Sequence, residues 1–258
     1  MENVILRNLS IGYTIKSGKK AVATQLNGII NSGELTCLLG RNGVGKSTLL
    51  RTLSAFLPAL EGDILLQGKS LITYSDQELS QLIGVVLTEK PHVRNMTVDE
   101  MVAMGRAPYT GFWGVMSKDD QRIVDESIQL VGIDTLRHRL VQSLSDGERQ
   151  KVMIAKALVQ QTPIIYLDEP TAFLDYPSKV ELLQLLRRLA HDEQKTIFLS
   201  THDVEISLQL ADTLWLMTSE QLYVGTPRQL ADKEVLSAFI ESEGITFDSH
   251  MLTIHIKK

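Results

Sequence analysis

Short apolar runs recur along the chain at residues 4–9, 35–39, 63–66, 83–87, 164–167, 196–199 and 213–217. Each is too short for a helix and is bounded by polar or turn-forming residues, which predicts buried β-strands. Between several of them the apolar period lengthens to that of a helix. Residues 47–57 form one such segment, and 178–190 form the clearest. There Val180, Leu182, Leu183, Leu185, Leu186 and Leu189 make a stripe, while Glu181, Gln184, Arg187 and Arg188 face away. Just upstream, Asp175 supplies a capping carboxylate and Pro177 a ring suited to a first helical turn. Strands alternating with helices predict an α/β fold around a mostly parallel sheet. The stretch from about 90 to 161 differs: 97–105, 118–131 and 148–160 read as helices with no strong strand between them. We therefore expect one unit over 1–258, with a core of about 1–89 and 162–258 and an inserted helical subdomain of about 90–161. An N-terminal antiparallel β segment (4–30) and a short β tail (247–256) complete it.

Composition narrows the possibilities. At about 150 residues per domain, 258 residues suggest one or two units and allow a full hydrophobic core. Against 31 Asp and Glu stand 26 Lys and Arg, a net charge of −5 with no basic stripe, which argues against nucleic acid as a partner. A single cysteine, Cys37, forms no internal disulfide and suits a reducing compartment. The opening residues lack the basic region and long apolar core of a secretion signal, and no run approaches the ~18 apolar residues of a membrane span. These features lead us to expect a cytoplasmic protein.

Candidate chemistry begins after the run 35–39. Gly40-Arg-Asn42-Gly43-Val-Gly45-Lys46-Ser47-Thr48 is a G-x-x-x-x-G-K-[ST] phosphate loop between a strand and a helix. Its glycines let backbone N–H groups turn toward phosphates, and the helix directs its positive end at them. Lys46 has the reach for the β and γ phosphates, and Ser47 is a ligand for Mg²⁺. The four fixed positions would arise by chance in roughly one chain in a hundred of this length. The run 164–167 then ends in Asp168 and Glu169, two carboxylates at the C-terminal end of a buried strand, where open α/β sheets bind ligands. Asp168 is placed to hold Mg²⁺, and Glu169 to polarise a water for attack on the γ-phosphate. After the run 196–199, His202 is a candidate contact for that phosphate or water, and Asp203 an N-cap.

Leu144-Ser145-Asp146-Gly147-Glu148-Arg149-Gln150 resembles the signature motif (LSGGQ in its usual form) of ATP-binding cassette ATPases, and the order of motifs matches that family over nearly the whole chain. The resemblance implies a P-loop NTPase fold with a RecA-like core, ATP and Mg²⁺ as cofactors, and ATP hydrolysis. It implies that Tyr13 stacks on adenine, that Asp175 is the D-loop acid and that His202 is the switch histidine. In this family the γ-phosphate held by one phosphate loop is met by the signature of a second subunit, so Ser145 and Gly147 would complete a site in a homodimer. The residues alone give a local reading too, because Ser145-x-x-Glu148 is a capping box. Two departures stand out. Asp146 and Glu148 replace the usual Gly and Gln, and Thr88, with Glu89 beside it, stands where the family has a Gln that touches Mg²⁺ or water.

The chain has one phosphate loop, one signature and no apolar span, which resembles a separate ATPase subunit docked on a membrane permease at the inner face of the membrane. The segment 96–114, with Met96-Thr-Val and Gly105-Arg106-x-Pro108, is similar to ATPases of importers for iron–siderophore complexes, haem and cobalamin. A substrate-binding protein would be an indirect partner. Phe112 and Trp113, set between glycines, are candidates for an exposed patch facing the permease or for a small local core. The competing expectations are an ATPase with a soluble partner and a nucleotide-gated scaffold without catalysis.

Overall fold

The alternating N-terminal segment folds into a long antiparallel hairpin, β1 (Glu2–Ile15) against β2 (Gly18–Asn31). The computed structural model describes residues 2–16, 18–88, 93–111 and 114–257. They divide into two compact units: one joins the residues up to 73 to those from 186 onward, and the other comprises 74–185.

In the first unit β4 (Glu61–Leu66) pairs with the free edge of β1, and the short β5 (Lys69–Ser70) pairs with β4. A second sheet holds the strand that leads into the phosphate loop. Its central strand β3 (Leu35–Gly40) is buried along its whole length, between β8 (Thr196–Ser200) and β9 (Thr213–Met217), both parallel to it. Burial on both faces explains why these strands read as continuous apolar runs. Outside β9 runs the antiparallel β10 (Leu222–Gly225). Phe198 and Trp215 meet edge to face at 5.1 Å between the strands' side chains. Polar ties add to the packing: Asp212 accepts a 2.8 Å hydrogen bond from the backbone N–H of Leu35, and Asn3 Nδ2 of β1 donates to Thr196 Oγ1 of β8 at 2.7 Å. Helix α1 (Lys46–Leu53) leaves β3 through the phosphate loop and buries Leu49, Leu50 and Leu53. It ends four residues earlier than the expected 57. The other helices of this unit are α7 (Val204–Leu210), α8 (Pro227–Asp232) and α9 (Val235–Ile240), and the tail forms the hairpin of β11 (Ile245–Asp248) and β12 (Thr253–Ile256).

The second unit contains a parallel pair, β6 (Ile83–Val86) and β7 (Ile164–Asp168), with α2 (Asp76–Leu82), α3 (Val98–Ala103), α4 (Lys118–Val131) and α5 (Asp146–Val159). Helix α6 (Tyr176–Glu193) contains the unit boundary at 185/186. Its stripe is as patterned: Leu182, Leu183, Leu185, Leu186 and Leu189 are buried, and Val180 is half-buried. Capping boxes start α2, α3, α4 and α5. Each ties an N-cap hydroxyl to an acid three residues on, which satisfies amides that have no intrahelical partner.

Candidate nucleotide site and signature helix

The phosphate loop has the backbone its glycines were chosen for. Gly43 and Gly45 have φ of +78° and +116°, and a Cβ on Gly45 would stand 2.6 Å from Val22 Cγ1. Gly45 is the N-cap of α1, no side chain caps it, and the first turn holds no acid. The positive end of α1 is thus open to an anion. Lys46 is buried and curls back over the loop, donating from Nζ to the carbonyls of Gly40 (2.9 Å) and Arg41 (3.4 Å). Its Nζ also lies 3.3 Å from His202 Nε2. An ammonium only donates, so any hydrogen bond between the two has Nε2 as its acceptor. His202 lies two residues beyond the end of β8 and is exposed. Tyr13 donates to or accepts from Thr48 Oγ1 at 3.0 Å, and its ring is 41% exposed beside the start of α1. Ser47 is half-buried on the first turn, and Asn42 is exposed on the loop. The first unit therefore brings Tyr13, the loop from Gly40 to Thr48, and His202 together.

In the second unit, β7 delivers Asp168 almost fully buried and then turns at once. Glu169 holds φ at +49°, a left-handed conformation costing a non-glycine residue about 1 kcal/mol. Phe173 does the same at +68°. Thr88 Oγ1 donates to the backbone carbonyl of Asp168 at 2.8 Å, so its hydroxyl proton is committed while its oxygen can still accept. Glu89, its neighbour, lies outside the described residues. Asp175 caps α6 by accepting from the backbone N–H of Ser178 at 3.1 Å, and hydrogen bonds from Ser178 hold its carboxyl below the usual range.

The signature motif is the N-terminus of α5. Ser145 Oγ accepts from the Glu148 N–H (3.3 Å), and Glu148 Oε2 accepts from the Ser145 N–H (2.8 Å). Glu148 also pairs with Arg139 at 2.9 Å, and these partners, the Ser145 N–H first, hold its pKa below the ordinary value. Arg149 reads as an unremarkable surface residue in the sequence, yet it answers the Asp146 departure. One of its amino groups lies 2.7 Å from Asp146 Oδ1 and the other 2.7 Å from the Leu144 carbonyl, so the extra carboxylate is neutralised within its own turn. Gly147 packs on Leu174: a Cβ there would lie 3.0 Å from Leu174 Cδ2.

The Gly105-Arg106-x-Pro108 motif has a packing explanation. A Cβ on Gly105 would strike the Lys156 carbonyl oxygen of α5. Arg106 is buried, bonds Asp120 at 2.7 Å and the Val159 carbonyl at 3.0 Å, and stacks over the Tyr109 ring at 4.1 Å. Phe112 and Trp113 lie outside the described residues.

Sequence reasoning missed a cavity of about 420 Å³ in the first unit. The phosphate loop from Arg41 to Val44 forms one wall, the end of β9 and Tyr223 another, and Val235, Ala238 and Phe239 of α9 a third. The six residues of α9 were too few to show a period.

These features define a nucleotide-binding cassette: a phosphate loop on a parallel sheet, two acids after a buried strand, and a capped signature helix. The ABC transporter family model matches residues 23–172. An uncharacterised ABC transporter ATP-binding protein of Methanocaldococcus jannaschii is 38% identical over 241 residues, 93% of this chain and 82% of that one. A probable siderophore transport system ATP-binding protein of Bacillus subtilis is 33% identical, covering 89% and 82%. The ferric enterobactin transport ATP-binding protein of Escherichia coli is 34% identical, covering 88% and 83%. Among solved structures, an inward-facing putative metal-chelate type ABC transporter superposes with a TM-score of 0.80 at 24% identity, over 100% of this chain and 97% of that one. The chain belongs to the ABC transporter family and is one of its ATPases.

Proposed function

We propose that this chain is the ATP-hydrolysing subunit of an importer for a ferric siderophore or related metal chelate, docked on the cytoplasmic face of a separate permease. The relatives named for siderophore and ferric enterobactin transport support the substrate class. Among the described residues no helix is long and apolar enough to cross a membrane, which is consistent with a permease on another chain. A substrate-binding protein would deliver the chelate to that permease. The helical subdomain of about 90–161 is the part we assign to permease contact, with the core of about 1–89 and 162–258 holding the nucleotide.

The observation that carries the chemistry is the uncapped, acid-free start of α1 with Lys46 folded over the loop and His202 against it. In this reading the backbone amides of Gly43, Gly45 and Lys46 receive the phosphates, and Lys46 exchanges its carbonyl partners for β and γ oxygens. Tyr13 stacks on adenine. Each expected ligand suits Mg²⁺ by its own chemistry: the Ser47 hydroxyl and the Asp168 carboxylate are hard oxygen donors, and the Thr88 hydroxyl would meet a bound water. When bound, Mg²⁺ would neutralise charge developing on the transferred phosphoryl group. Glu169 takes the proton of the attacking water, and His202 orients that water or the γ-phosphate. Ser145 and Gly147 of a second copy present the N-terminus of α5 to the same phosphate, and Asp175 lies on that seam. Each pair of chains then has two sites, and a lone chain is a poor catalyst.

Reconstitution with the permease tests the reading. Uptake of a ferric siderophore should require ATP and raise the rate of hydrolysis. Stimulation by haem or cobalamin and by no ferric siderophore would reassign the cargo, and stimulation by no cargo would refute the importer role.

A further inference from the structure

Phe173 and the cavity behind the phosphate loop are two features the chemistry above does not use. Phe173 is a large aromatic residue, 70% exposed, held on a left-handed turn. Its neighbour Leu174 packs against Gly147, so within the second unit Phe173 sits beside the N-terminus of α5. The cavity, within the first unit, has the loop residues Arg41 to Val44 as one of its walls. We propose that Phe173 of each copy docks into the cavity behind the phosphate loop of the other copy, locking the ATP-bound dimer.

The inference rests on the two-copy site proposed above and adds to it. If the α5 N-terminus of one copy faces the phosphate loop of the other, Phe173 and the cavity are carried to one seam. Two-fold symmetry repeats the pairing, so each copy gives one ring and receives one. Size permits it: a cavity of about 150 Å³ takes benzene, and this one is about 420 Å³. Chemistry favours it, since the half-buried Val44, Val235 and Phe239 offer apolar walls and Arg41 a guanidinium that stacks on aromatic faces. Aromatic anchors seated in pockets are where interface energy concentrates. A ring inserted against the loop that holds the phosphates would also make closure sensitive to the nucleotide.

Thiol crosslinking tests this in a Glu169→Gln background, where ATP is held and turned over slowly. Cys37 is fully buried and its pKa is pushed up to about 12, so it stays silent. Phe173→Cys paired with Ala238→Cys should give an ATP-dependent covalent dimer with a short bifunctional thiol reagent. Phe173→Cys paired with Glu61→Cys, on β4, should not. Independently, Phe173→Ala or the cavity-filling Ala238→Trp should weaken ATP-dependent dimerisation about tenfold or more, the scale of an interface hot spot. Both should keep the unfolding temperature of the parent. An ATP-dependent dimer without crosslinking at 173 and 238, or unmoved by both substitutions, overturns the docking alone. Absence of any ATP-dependent dimer in the Glu169→Gln parent overturns both docking and the two-copy site.

Discussion

In the proposed site, Lys46 is poised before its ligand arrives. Its ammonium is satisfied by two loop carbonyls and held near His202, so ATP need only exchange partners around a charge already in place. Lys46→Ala should therefore weaken ATP binding by about 10- to 100-fold, the value of charge-assisted bonds to phosphate, as read by nucleotide titration. Glu169→Gln should bind ATP normally and slow hydrolysis by about 10²–10⁴-fold. Near-normal turnover would remove the general-base assignment. Thr88 differs, because its hydroxyl braces the backbone of Asp168 instead of extending as a longer amide would. Thr88→Ala should disturb coupling of ATP hydrolysis to transport more than ATP affinity, and an equal loss of both would count against the alignment of Thr88 with the family's Gln. These residues were picked out in the sequence because motifs and their spacing mark them. Arg149 was not, since its pairing with Asp146 depends on a helical turn placing both on one side.

At the level of elements, capping decides where helices begin. The Ser145-x-x-Glu148 pattern announced the start of α5, and the structure adds the same box at Ser117 and Asp120 of α4. Asp120 has a second task, since it also binds the buried Arg106. Hydrogen bonds from Ser117, then Arg106, lower its pKa to about 2. Because the folded value lies below the unfolded one, this carboxylate stabilises the fold fully above about pH 4 and loses that contribution as pH falls toward 2. Acid-induced unfolding should therefore be steep in that window for the parent and shallower for Asp120→Asn. Arg106→Ala removes the ionic partner of Asp120 while Ser117 still donates to that carboxylate, and chemical denaturation should show a loss of about 1–3 kcal/mol. Strong periodicity made α4, α5 and α6 readable. The short α7, α8 and α9 carry too few residues to show a period, so the cavity that α9 walls was invisible beforehand.

For the whole molecule, the parallel strands and the helix-rich middle were legible because burial on both faces and a 3.6-residue period leave different marks. The architecture of the functioning particle is another matter. Symmetric pairing of two cassettes is not written in any one chain's pattern, because the residues that would meet, Lys46 and the α5 N-terminus, belong to different copies in the proposed site. That composite site is the central claim, and subunit mixing tests it directly. Lys46→Ala and Ser145→Arg chains should each be inactive alone. Mixed in equal amounts, they should recover roughly a quarter of parental ATPase activity, from mixed dimers that rebuild one intact site each. Activity that stays at the level of the separate variants, with mixed dimers demonstrably formed, would contradict a site shared between copies.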